Sequence, residues 1–208
     1  MVTHFLKYII SVTLFTSLVF FAGAQNRNAT HNILFIGNSL TSTNDLPSMV
    51  KKRASYSGYN IETKMIAFSN HSLYNHWKKG DVQKLIKSKK YDIVIIQQGP
   101  SSTTRSKSVL IEYGKRYSKI CKENNVLLAY FMVWPKLDYY DTFESVIKNH
   151  EKAAQLNNVI LLPVGKVWKK YFDTTHKFDY YGSDNYNPSK KGSEAAAKVI
   201  TKIIIQHL

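Results

Sequence analysis

The chain has 208 residues and a single cysteine, with 29 Lys and Arg against 14 Asp and Glu, a formal charge of +15 at pH 7. One cysteine excludes an internal disulfide, and the length suits one domain of ordinary size without requiring a second. The positive excess favours anionic neighbours. The basic residues nevertheless fall in scattered pairs such as Lys78-Lys79, Lys89-Lys90 and Lys190-Lys191, with no basic arm or recognised motif, so no nucleic-acid partner is expected.

Residues 1–24 read as a secretory signal peptide: His4 and Lys7 precede an apolar run from Tyr8 to Phe21, and Ala22-Gly23-Ala24 supplies small residues for cleavage. The run is shorter than the roughly 20 residues a membrane-spanning helix needs, so no stable membrane insertion is expected after cleavage. The charge falls to +14 once Lys7 leaves. An exported chain with no disulfide fits a bacterial periplasm or cell surface. Asn28-Ala29-Thr30 matches a glycosylation sequon, a short and weak signal.

Residues 25–208 form one unit in which apolar runs alternate with segments of helical spacing. Strands are predicted over Ile33–Ile36, Ile61–Ala67, Ile93–Ile96, Val126–Val133 and Val159–Val164. Helices are predicted over Leu46–Tyr56, Ser106–Glu123, Thr142–Leu156 and Ser189–His207. Parallel neighbours need crossover connections, so this rhythm implies a five-stranded parallel sheet covered by helices on both faces, a flavodoxin-like α/β/α sandwich. Cys121, in a helical stretch, reads as a buried structural thiol.

Four candidate segments follow strands, and a fifth lies late in the chain. In a parallel sheet the carboxyl ends of the strands share one edge, so residues far apart in sequence converge there. The first segment is Gly37-Asn38-Ser39, where an apolar strand stops at a small polar turn presenting one serine. It reads either as a nucleophile on a strand-to-helix turn or as a helix N-cap. Ser69-Asn70-His71 follows the second strand, Gln97-Gln98-Gly99-Pro100-Ser101 the third, and Trp134-Pro135 the fourth. The late segment is Asp184-Asn185-Tyr186-Asn187-Pro188-Ser189. No phosphate-cradling glycine loop and no close His or carboxylate ligand spacing occurs, and neither a cofactor nor a metal is expected.

The serine turn and the late segment together resemble the SGNH, or GDSL, hydrolases, over about residues 32 to 205. Gln97-Gln98-Gly99-Pro100-Ser101-Ser102 and Met132-Val133-Trp134-Pro135 point to an exported branch found in Bacteroidetes-like bacteria. The resemblance implies the SGNH fold and a serine ester hydrolase, with Ser39 as nucleophile and Asp184 as the orienting acid. The position of the family's catalytic histidine falls on Asn187. An amide hydrogen-bonds but does not take up a proton near pH 7, so the resemblance leaves open a slow or inactive descendant, a different base, or an altered residue in an otherwise active enzyme, with a non-catalytic carbohydrate-binding protein as the alternative function.

By the same resemblance the oxyanion donors are the Ser39 N–H, the Ser69-Asn70 backbone in place of a glycine, and the Gln98 amide in place of an asparagine, with Gln97 and Ser101 as further candidates. His176 is the nearest replacement base in sequence. His76, Trp134 and Tyr181 are candidate substrate-binding side chains, whereas His150 and His207 are expected to face solvent. The substrate class implied is a small-molecule or polysaccharide ester, such as an acetylated carbohydrate.

Overall fold

The computed structural model describes residues 29–208. The expected signal peptide and Asn28 of the sequon lie outside the described residues. In chain order the elements are β1 (Thr30–Gly37), α1 (Ser39–Ser42), α2 (Leu46–Tyr56), β2 (Asn60–Ala67), α3 (Leu73–Lys79), α4 (Asp81–Lys87), β3 (Ile93–Ile96), α5 (Thr104–Glu123), β4 (Leu127–Phe131), α6 (Phe143–Asn157), β5 (Ile160–Leu162), α7 (Val164–Thr175) and α8 (Lys190–Ile204). Short 3-10 turns over Thr43–Asp45 and Leu137–Thr142 lead into α2 and α6.

The five strands are parallel throughout and ordered β2-β1-β3-β4-β5, the expected flavodoxin-like arrangement. Strand periodicity explains the apolar run of β1. Ile33 and Phe35 face one core with Val50 of α2, Trp168 of α7 and Ile200 of α8, while Leu34 and Ile36 face the other with Leu73, Ile86 and Tyr117 of α3, α4 and α5. A strand covered on both faces reads as continuously apolar, and Ile93–Ile96 of β3 are likewise buried without exception. The edge strand β2 mixes charge with apolar positions, Glu62 and Lys64 being exposed. Cys121 is buried in the second core, and burial pushes its thiol up to about 12.

Four helices were not predicted, the first of them the single turn α1 at the end of β1. α3 and α4 occupy Leu73–Lys87 on either side of Gly80, which adopts φ +79°. α7 begins at Val164 because Pro163, lacking an N–H, ends β5 before it. β4 is shorter than the predicted Val126–Val133. The Val126 N–H bonds back to Cys121 in the α5 terminus, and beyond Phe131 only the Met132 N–H continues toward β5, to the Leu162 carbonyl at 3.0 Å.

His150 does not face solvent. It is fully buried on the inner face of α6, with Nδ1 2.8 Å from the Val146 carbonyl and Nε2 without a partner. Burial lowers its pKa from 6.5 to about 4, the Val146 hydrogen bond opposing the shift, so the ring is neutral. His207 is exposed as expected.

Candidate active site

At the carboxyl end of β1 the chain turns from strand to helix within two residues. Asn38, with extended dihedrals, is the N-cap of α1, its Oδ1 accepting from the Leu40 N–H at 3.1 Å. The capping duty therefore falls to Asn38, and Ser39 stands as the first helical residue. Neither the Ser39 hydroxyl nor its N–H makes a hydrogen bond among the described residues.

The turn is braced from below and from the side. Gln97, at the end of β3, is buried, and its Oε1 accepts from the Asn38 N–H at 2.8 Å and from the Thr41 hydroxyl at 2.9 Å. The Gly37 carbonyl accepts from His76 Nε2 at 2.7 Å and from the Phe68 N–H at 3.3 Å. A Cβ on Gly37 would collide with Thr41 Oγ1 and would lie 2.5 Å from Gln97 Oε1, so only glycine lets the brace close.

The loop after β2 approaches the same turn, with Asn38 Nδ2 donating to the His71 carbonyl at 3.3 Å. Asn70 adopts φ 61° there, and the N–H groups of Ser69 and Asn70 make no hydrogen bond among the described residues. In the loop after β3, Gln98 Oε1 accepts from the Leu73 N–H at 2.8 Å, leaving its amide nitrogen as the remaining donor. The hydroxyl of Ser101 is turned to the Gly99 carbonyl at 3.0 Å and the side chain is buried. Gln97 Oε1 is spent on the brace, and its Nε2 is buried without a partner. Among these candidates, the unengaged donors are thus the N–H groups of Ser39, Ser69 and Asn70, the amide of Gln98 and the buried Gln97 Nε2.

The late segment reaches this edge through tethers from several elements. Asn44, just after α1, donates to the Pro188 carbonyl and to the Ser193 hydroxyl, both at 3.0 Å. Trp134 Nε1 donates to the Tyr186 carbonyl at 3.0 Å, and the Leu137 N–H to the Asn185 carbonyl at 2.9 Å. Within the segment, Asp184 Oδ1 accepts from the N–H groups of Tyr186 and Asn187 at 3.0 and 2.8 Å, and Oδ2 accepts from Asn187 Nδ2 at 2.6 Å. Partial burial would raise the Asp184 carboxyl, but these donors outweigh it and hold the pKa below 3.8. Asn187 Oδ1 is buried without a partner.

Three expected substrate contacts are corrected. Trp134 is fully buried and stacks on Trp168 with ring centroids 3.5 Å apart, so it supports the late segment from beneath. Tyr181 is also buried, its hydroxyl donating to the Pro135 carbonyl at 2.9 Å. His76 is buried under the Ser39 turn. Burial lowers its pKa, the Gly37 hydrogen bond opposes, and the charges of His71 and Lys79 add to the lowering. The Nε2 contact to a carbonyl assigns that nitrogen the proton of the neutral ring.

His176 caps the C-terminus of α7 at φ 55° and is exposed; the carboxylate it acts on electrostatically is Asp173. No bond joins it to Asp184.

Two contributors escaped the sequence reading. Asn44 is the tether from the Ser39 turn to the late segment, and Tyr186 extends its hydroxyl over Gly99, 3.8 Å from the position a Cβ would take there. Burial raises the Tyr186 pKa and the Asp184 charge adds to it, which keeps the hydroxyl protonated. Among the described residues no three His, Cys, Asp or Glu side chains gather as a metal site.

Solved structures share this architecture over most of the chain. A candidate SGNH hydrolase from Slackia heliotrinireducens superposes with a TM-score of 0.73 at 21% identity, covering 85% of this chain and 100% of that one. A lipase/acylhydrolase from Enterococcus faecalis gives 0.71 at 14% identity, covering 86% and 97%. A family 3 carbohydrate esterase from Clostridium thermocellum gives 0.65 at 13% identity, also covering 86% and 97%. No family sequence model matches the chain, and comparison with curated proteins gives no match. At these identities the likeness establishes the fold.

Proposed function

Starting from the SGNH-hydrolase fold of this chain, we propose that it is an exported serine ester hydrolase that removes acetyl or similar acyl groups from a carbohydrate, with turnover limited by Asn187. The observation that carries this reading is the Ser39 turn. Asn38, Gln97 and His76 fix its backbone, yet the Ser39 hydroxyl and N–H are left unengaged. A structural cap would have used them. A nucleophile and its oxyanion donor need them free.

In this reading Ser39 Oγ attacks the acyl carbon. The carbonyl oxygen takes up the negative charge and is met by the Ser39 N–H, the Ser69 or Asn70 N–H and the Gln98 amide. Collapse expels the alcohol and leaves an acyl-serine, which water then hydrolyses. In a full triad, imidazole removes the Ser39 proton and returns it to the alkoxide. Asp184 here holds an amide instead, in the bond an imidazole Nδ1–H would make. The Asn187 carbonyl can orient a hydroxyl but takes no proton, so the proton passes to solvent. Loss of a triad base costs on the order of 10⁶ in turnover.

That deficit favours a second reading, a carbohydrate-binding protein that keeps the esterase pocket without its base. The two are separated by hydrolysis of a small activated acetyl ester by residues 25–208, beside Ser39→Ala and Asn187→His. Native activity that disappears in Ser39→Ala supports the hydrolase. Activity confined to Asn187→His supports the binding protein, and Ser39→Ala then leaves ligand affinity unchanged. The relatives include a carbohydrate esterase, which agrees with the proposed substrate class. Among the described residues no helix is long and apolar enough to cross a membrane, and export rests on the reading of residues 1–24.

A further inference from the structure

The Ser39 turn and the loop after β2 meet at one atom, the carbonyl oxygen of Gly37 at the end of β1. It accepts from the Phe68 N–H at 3.3 Å and from His76 Nε2 at 2.7 Å. Phe68 and His71 stand on either side of Ser69 and Asn70, whose N–H groups are candidate oxyanion donors. The His71 N–H closes that loop onto the Phe68 carbonyl at 3.1 Å, and the His71 carbonyl accepts from Asn38 Nδ2 at 3.3 Å.

His76 touches both flanks of the loop as well as the turn. Its ring lies 5.8 Å from that of Phe68 at an interplanar angle of 23° and 5.3 Å from that of His71 at 54°, while the Phe68 and His71 rings are 5.1 Å apart. The three rings form a closed triangle. Lys79, one turn further along α3, brings Nζ to 4.2 Å from the Phe68 ring centroid. The first residue of α3 is anchored in turn, the Leu73 N–H donating to Gln98 Oε1 at 2.8 Å. One short helix thus joins the Ser39 turn, the Ser69-Asn70 loop and Gln98.

Ring contacts keep a loop close but tolerate sliding, whereas a buried hydrogen bond to a carbonyl fixes both distance and direction. Oxyanion donors act through being in place before the charge develops. We propose that His76 is a positioning residue, and that its Nε2–H bond to Gly37 sets the Ser69 and Asn70 donors opposite the Ser39 N–H. The proposal rests on Ser39 as the ester nucleophile. His76 meets no reacting atom in this role and acts through the backbone on both sides of the oxyanion. Its loss therefore lowers kcat and leaves KM nearly unchanged.

Two variants separate the bond from the stack. His76→Phe keeps a ring against Phe68 and His71 and removes the donor, and a cavity of about 230 Å³ lined in part by Met65, Phe68, His76 and Val82 leaves room for the larger ring. His76→Gln loses the ring and keeps an amide N–H at nearly the reach of Nε2. Turnover of a small activated acetyl ester is measured for each, in the protein and in Asn187→His, with Ser39→Ala as the control. Amide exchange at Phe68 and His71 is followed by NMR with β4 as the internal reference, and folding is checked by circular dichroism.

His76→Phe is expected to lower kcat by about tenfold to a hundredfold, less than the loss of an oxyanion donor itself, with exchange faster at Phe68 and His71 than in β4. His76→Gln is expected to recover most of both. A kcat in His76→Phe equal to that of its parent overturns the positioning role. So does an equal fall in His76→Gln, or exchange that quickens uniformly through β4. Absence of turnover in every form, or turnover that survives Ser39→Ala, overturns the hydrolase reading alone. Selective exchange in His76→Phe then upholds His76 as the link between turn and loop, and unchanged exchange overturns that link too.

Discussion

Asn187 gives its amide hydrogen to Asp184 Oδ2 at 2.6 Å and leaves its own carbonyl oxygen buried without a partner. The carboxylate is thus already positioned to orient an imidazole at residue 187, and three N–H donations keep it ionised. Asn187→His is expected to raise kcat for an activated acetyl ester by at least about a hundredfold, a fraction of what a triad base contributes. The gain should vanish in the double variant with Ser39→Ala. Initial rates at pH 8, where the introduced imidazole is neutral, check both statements.

Gln97 joins the end of β3 to the Ser39 turn through one oxygen that accepts two bonds. Gln97→Ala leaves the buried Asn38 N–H and Thr41 hydroxyl unmet and is expected to cost about 2 kcal/mol, read by urea unfolding. Because the turn loses its brace, ester turnover should fall further than stability alone explains, with kcat more affected than KM.

His150 makes stability depend on acid. Its folded pKa, about 4, lies below the ordinary 6.5, so between these values the unfolded chain binds a proton that the folded chain does not. Its contribution is fully present above pH 6.5 and is lost as the pH falls toward 4, a change of up to about 3 kcal/mol. His150→Gln keeps a donor for the Val146 carbonyl and does not titrate. The difference in unfolding free energy between the protein and this variant, measured from pH 7.5 to 4, should show that slope and flatten below pH 4.

Trp134 bears on the late segment through one hydrogen bond and one stack. Trp134→Phe removes the donor to the Tyr186 carbonyl and shrinks the face that covers Trp168. A loss of about 1–3 kcal/mol is expected, with faster amide exchange in residues 184–188 than in β1. Uniform exchange through both regions would show that the tryptophan acts on global stability only.

The strands were legible because a sheet covered on both faces demands apolar residues at every position, and Ile33–Ile36 and Ile93–Ile96 meet that demand without interruption. The Ser39 turn and the Asp184-to-Asn187 block were legible as a family resemblance, and the fold agrees with it. What stayed hidden was set by packing across elements. His150 is the exception: it sits among Lys148, Asn149, Glu151 and Lys152, yet one turn from Val146 and beside Ala153 and Ala154 on the buried face of α6, and its inward phase was readable from that spacing.

α7 was hidden because Pro163 divides a run, Val159–Val164, that looks like one strand. Trp134 and Tyr181 looked like a binding rim because aromatic residues near a site read alike whether they meet ligand or each other. Tyr186 occupies a spacer position of the late block, and only the fold shows its hydroxyl above Gly99.

The burial of Cys121, whose thiol is pushed up to about 12 within the core beneath α5, makes the surface chemically silent toward thiol reagents. The substitution Tyr139→Cys, at an exposed position that shares a surface depression with Pro100, Pro135 and Tyr186, would then supply the one thiol there open to modification. A fluorophore attached at that point would report a ligand approaching the late segment directly, in the native background and without turnover.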